Sequence, residues 1–85
     1  MVTHRQIRAA RGLLGWSQQQ LADRAIVSLA AVSRLEKGLD VRVSTLAAIV
    51  KALTRARIEF LPGDANSKNG KNGRPGEGVR FRRRG

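Results

Sequence analysis

The chain reads as a mainly α fold, four helices followed by a short C-terminal two-stranded β element, and three observations carry that reading. Residues Trp16 to Gly38, WSQQQLADRAIVSLAAVSRLEKG, divide into two short amphipathic segments joined by a tight turn. Hydroxyl residues stand at the start of successive apolar runs, as helix N-caps do, and two of them are followed three residues later by glutamine. After Thr54 the apolar period falls from 3.6 to 2, which is the signature of a strand.

Helix 1 starts at Thr3, because Thr3 and Gln6 form a capping box, and it turns Ile7, Ala10, Leu13 and Leu14 inward before stopping at Gly15. Helix 2 repeats the signal with Ser17 and Gln20. It places Leu21, Ala22 and Ala25 on one side and keeps Gln18, Gln19, Asp23 and Arg24 polar, and at about two turns it is too short to persist without packing. Helix 3 begins after Ser28 with Ala31, Val32 and Leu35 inward, and Gly38 supplies its left-handed stop. Ala30, Ser33, Arg34 and Lys37 follow i, i+3, i+4, i+7 spacing, so they form a separate outward stripe without a carboxylate.

Helix 4 is capped by Ser44 and carries Leu46, Ile49, Val50 and Leu53 at the same period, completing a helical unit over residues 1–56. Residues 57–85 form the β element. Arg57 to Leu61 is one strand, ended by Pro62-Gly63; residues 64–78 are a flexible Gly/Asn/Lys-rich loop; Val79 to Arg82 is the second strand. Antiparallel pairing aligns Ile58 and Phe60 with Val79 and Phe81. A lone ribbon is unstable in water, so this one must pack on something.

Composition narrows the function. At 85 residues without cysteine, the chain has a small core and neither disulfides nor thiolate zinc sites to reinforce it. Oligomerisation remains as a way to enlarge the core. The first twenty residues alternate basic and apolar positions, and no stretch is long enough to span a bilayer, which points to a soluble cytoplasmic protein without a membrane partner. The net charge of +11 selects a polyanion, and because the apolar faces are committed to a core, that polyanion is nucleic acid. Trp16, Phe60 and Phe81 are too few to build a stacking platform for RNA bases. His4 has no second histidine, cysteine or carboxylate cluster near it in sequence, so no metal or other cofactor is expected. With no nucleophile and base in plausible reach, the chain does not read as an enzyme.

Residues 3–54 resemble the DNA-binding domains of the Cro/CI type, the XRE-like bacterial and phage regulators. The matching residues are Arg8 and Arg11, Ser17-Gln18 with Leu21-Ala22, Val27-Ser28, and then Val32, Ser33, Leu35, Glu36 and Gly38. Ile58-Glu59-Phe60 and Gly78-Val79-Arg80-Phe81 resemble the ending of small proteobacterial members, in which helix 4 leads directly to strands. The resemblance implies that helix 3 enters the major groove of double-stranded DNA while helix 2 lies over the backbone. It also implies a structural ion pair between Arg11 and Glu36. One departure stands out: the family usually has glycine where this chain has Ile26. A left-handed backbone there strains a β-branched residue by about 1–2 kcal/mol.

The candidate DNA contacts are Ser17, Gln18, Ser28, Leu29, Ala30, Ser33, Arg34, Lys37 and Arg42. Arg34 is the reader, since a guanidinium matches guanine O6 and N7 with two bonds. Gln18 is a donor to phosphate or a base edge, and Leu29 and Ala30 suit a thymine methyl. Ser17 caps helix 2, whose free N–H groups form an anion site, and Ser28, Ser33, Lys37 and Arg42 anchor phosphates. Ile58, Phe60, Val79 and Phe81 are the candidate dimer contacts, by pairing across a two-fold axis or by packing two ribbons together. The resulting expectation is a homodimeric regulator on a palindromic operator. An alternative is an antitoxin or controller subunit whose basic tail folds on a partner protein. Trp16 reads as a core residue, and the Arg80–Arg84 cluster as either a solvated tail or a second DNA contact.

Overall fold

The computed structural model describes residues 2–61 and 78–82. The element order is α1 (His4–Leu14), α2 (Gln18–Ala25), α3 (Leu29–Glu36), α4 (Val43–Arg55), β1 (Ile58–Leu61) and β2 (Gly78–Phe81). This is the expected architecture of four helices followed by a two-stranded antiparallel sheet.

Local chemistry sets the first three helix starts. The Thr3 hydroxyl accepts from the Gln6 N–H at 3.2 Å while the Gln6 side-chain oxygen accepts from the Thr3 N–H at 2.8 Å. Ser17 and Gln20 repeat the box at 3.0 and 2.8 Å, and the Ser28 hydroxyl accepts from the Ala31 N–H at 3.0 Å. Each bond satisfies a backbone donor that the first turn otherwise leaves unpaired. Gly15 ends α1 in the left-handed region. Gly38, with φ +80°, turns the chain out of α3 so that the Leu39 N–H reaches back to the Arg34 carbonyl at 3.0 Å. That long reach is the Schellman closure.

Helix 4 departs from expectation. It starts two residues earlier than a Ser44 cap would set it: Arg42 is the N-cap, no side chain bonds there, and Ser44 is an exposed residue of the first turn. Leu13 is also corrected, being 45 % exposed rather than inward. Leu14, one helical step of 100° away, takes the core-facing side with Ile7 and Ala10. Ala31 is half-buried, leaving Val32 and Leu35 as the buried apolar residues of α3.

One apolar cluster holds the helices together, built from Ile7 and Ala10 of α1, Leu21, Ala22 and Ala25 of α2, Val32 and Leu35 of α3, and Ile49, Ala52 and Leu53 of α4. Ile58 of β1 joins it at 1 % exposure. Burying a side chain of that size contributes about 1.5–3 kcal/mol, which fastens the ribbon to the helices. The strands pair within the chain, with Ile58 opposite Phe81, Glu59 opposite Arg80, Phe60 opposite Val79 and Leu61 opposite Gly78.

Two features of the ribbon had no sequence signal. Arg57 is not a strand residue: with φ +71° it is a left-handed hinge, and its carbonyl accepts from the Arg82 N–H at 2.6 Å, beyond the sheet. Gln6, already part of the α1 cap, is 3 % exposed, and its side-chain nitrogen donates to the carbonyls of Leu61 and Gly78 at 2.7 and 2.9 Å. A single amide thus ties both strands to α1. The segment expected to be a loop lies outside the described residues, apart from Gly78, which opens β2.

Candidate nucleic-acid interface

The relative placement of α1, α2 and α3 is set by a polar network around Glu36, which is 3 % exposed. Arg11 meets it with two bonds, Nε to Oε2 at 2.8 Å and Nη2 to Oε1 at 3.0 Å, and its Nη1 donates to the Trp16 carbonyl at 2.9 Å. The hydrogen bond to Glu36 holds the guanidinium pKa above its ordinary value, against the opposing effect of burial. Gln18 joins the network by donating from Nε2 to Glu36 Oε1 at 3.1 Å. Removing a carboxylate from water is costly, and here fork geometry plus the glutamine donor compensate it.

This network refines the role of Gln18. The sequence left its amide free, whereas one N–H is already given to Glu36. The amide oxygen and the second N–H are not used in this bond, and the amide is held in place by the first.

Arg34 is positioned in a comparable way. It is exposed, and its Nε and Nη2 donate to the Asp40 carbonyl at 3.3 and 3.0 Å. This contact uses the side edge of the guanidinium and leaves out the end edge, Nη1 with the second N–H of Nη2. The Asp40 carbonyl is brought there by the turn at Gly38, whose closing bond ends on the backbone of Arg34 itself.

Between the starts of α3 and α4 lies an open groove of about 630 Å³. Ser28, Ala30, Arg34 and Arg42, all singled out by sequence, line it together with Thr45, which was missed. The Ser28 hydroxyl oxygen already accepts from the helix start, so its O–H is left to donate.

A family model described as helix-turn-helix matches residues 7–60. The chain belongs to the helix-turn-helix family. The matched stretch runs from Ile7 in the core of α1 to Phe60 in β1 and includes the Glu36 network and the α3–α4 groove. Its XRE-like members are DNA-binding regulators, and this chain is one of them. No curated protein matches it.

The remaining sequence-derived residues of this helix-turn-helix protein fall in different places. Leu29 is 44 % exposed at the first position of α3, Lys37 is exposed at the end of that helix, and Ser33 is half-buried. Ser17 sits at the start of α2, outside the groove, with its oxygen accepting from Gln20. Asp40 is the only carboxylate among the groove's described lining residues, and sequence gave no reason to place it beside Arg34. Trp16 is half-buried and packs against the core, with the Arg24 guanidinium 4.9 Å from its ring centre.

Ile26 is left-handed at φ +59°, as its position in place of glycine implied, and is 90 % exposed. Of the four candidate dimer residues, Ile58 is 1 % exposed, its side chain enclosed by the core of the same chain. Phe60 and Val79 pack partly against that core, and Phe81 is 49 % exposed. Among the described residues no cluster of histidines and carboxylates could hold a metal, and no helix is long and apolar enough to cross a membrane.

Proposed function

We propose that this protein is a transcriptional regulator that reads a short palindromic operator as a symmetric homodimer, each subunit placing α3 in a major groove. The observation that carries this reading is Arg34 clamped on its side edge beside Ser28, Ala30 and Arg42 in one open groove. A guanidinium fixed along one edge with its end edge free is preorganised for guanine O6 and N7, so little rotamer entropy is lost on contact. Leu29 and Ala30 supply apolar contact at the helix tip. Ser17, Ser28, Ser33, Lys37 and Arg42 hold phosphates, and Gln18 adds its amide oxygen and remaining N–H.

A monomer touches only half an operator. Symmetric dimers of this class place their reading helices about 34 Å apart, one turn of DNA. The dimer contact proposed here centres on Phe81, with Phe60 and Val79 at its edge, on the apolar side of the ribbon. Two substitutions test the reading on a selected operator. Arg34→Ala relaxes preference at one base pair per half-site, by about 1–3 kcal/mol of discrimination, whereas Lys37→Ala weakens all sequences alike. Equal loss on specific and random DNA for both would refute the assigned roles. Phe81→Asp yields a monomer by light scattering; an unchanged mass removes the ribbon from the dimer contact.

A further inference from the structure

A second groove, larger than the one beside Arg34, lies along the outer side of α4 and encloses about 1000 Å³. Its floor is apolar, with Val43, Leu46 and Val50, and Val43 is 84 % exposed. Its walls carry Lys51, Arg55 and Arg57 from the end of α4 and the hinge, joined by Arg82 from the end of β2. No carboxylate is among the described residues that line it.

We infer that this groove is a docking surface for an acidic amphipathic helix of a partner protein. Its apolar residues fall at positions 43, 46 and 50, the i, i+3, i+7 spacing by which one helix receives the ridge of another. The cationic wall demands carboxylates beside the partner's apolar stripe. A second copy of this chain is a poor occupant, because a two-fold contact would bring two such cationic walls together on a protein of net charge +11. Nucleic acid is a poor occupant too, since phosphates satisfy the cations and leave the apolar floor unused. Arg57 is held in this wall by its left-handed hinge, which Arg82 bridges by donating to its carbonyl.

The test uses the full chain and three labelled synthetic peptides of equal length, read by fluorescence anisotropy at near-physiological salt. One has leucines at helical spacing flanked by glutamates, one replaces its glutamates by lysines, and one replaces its leucines by serines. The first is expected to bind at least tenfold more tightly than either control. Val43→Asn, on an exposed side chain that folding does not need, should weaken it about tenfold. Lys51→Glu should weaken it about fivefold, while the same reversal at Lys37 leaves it nearly unchanged.

Absence of binding by the first peptide, or equal binding of the leucine-free acidic peptide, overturns the proposal. So does binding that both groove variants leave intact. If Val43→Asn instead converts a dimer to a monomer in sedimentation, the groove belongs to a second copy and the inference fails.

Discussion

Replacing Ile26 with glycine is expected to stabilise the protein. Ile26 adopts φ +59° and ψ +48°, a left-handed conformation in which an L-residue is disfavoured by about 1–2 kcal/mol. The side chain is 90 % exposed, so its removal sacrifices almost no buried apolar area. Its backbone N–H, which closes α2 on the Ala22 and Asp23 carbonyls, is present in glycine as well. Glycine's greater freedom in the unfolded chain offsets the gain by about 0.4–1 kcal/mol. The remainder, about 1 kcal/mol, corresponds to a rise of roughly 4–8 °C in Tm for a domain of this size. Thermal unfolding followed by circular dichroism measures it directly. Ile26→Ala serves as the control: it keeps a Cβ in the left-handed region and should gain less than glycine. An unchanged or lower Tm for Ile26→Gly, or an equal gain for alanine, would refute strain as the cause.

Three further outcomes follow from the same geometry. Gln6→Ala strips the Leu61 and Gly78 carbonyls of their donor and should cost about 1–3 kcal/mol, with amide exchange accelerated first in β1 and β2; uniform acceleration across the helices would contradict the clamp. Arg11→Met leaves the buried Glu36 carboxylate without its cation and should cost about 3–5 kcal/mol in urea titration, a loss that adding Glu36→Gln partly restores. A loss under about 1 kcal/mol would show that the pair carries little of the helix orientation. Asp40→Asn removes a negative charge from the groove but keeps the carbonyl that holds Arg34, so duplex DNA should bind a few-fold more tightly at low salt; weaker binding would mean that the carboxylate itself is used.

Much of the fold was legible because its determinants are local. Thr3 with Gln6, Ser17 with Gln20, and Ser28 each cap a helix through bonds spanning three residues, so spacing alone locates them. The strand register followed from alternation of Ile58 and Phe60 against Val79 and Phe81. Ser44 misled because a good capping residue two positions past the true cap looks the same in sequence as one at the helix start. Leu13 misled because two adjacent leucines at the end of a short helix leave its period ambiguous, and packing selects Leu14. The candidate interface was legible as a set of residue types on one helix face. It was not legible as geometry: Gln18 bonding Glu36 joins residues 18 positions apart, and the Asp40 contact to Arg34 uses a backbone carbonyl that no side-chain pattern announces. Gln6 reaching Gly78 spans 72 positions and depends on how the ribbon folds back on α1.

If α3 reads duplex DNA as one half of a symmetric pair, selection of bound sequences from random duplex DNA at near-physiological salt, with the full chain, will reveal it. The expected result is an inverted repeat whose half-sites are centred about 10 base pairs apart, with a guanine in each that Arg34→Ala makes degenerate. Recovery of no consensus, with binding that disappears as salt rises, would leave only charge attraction and contradict it.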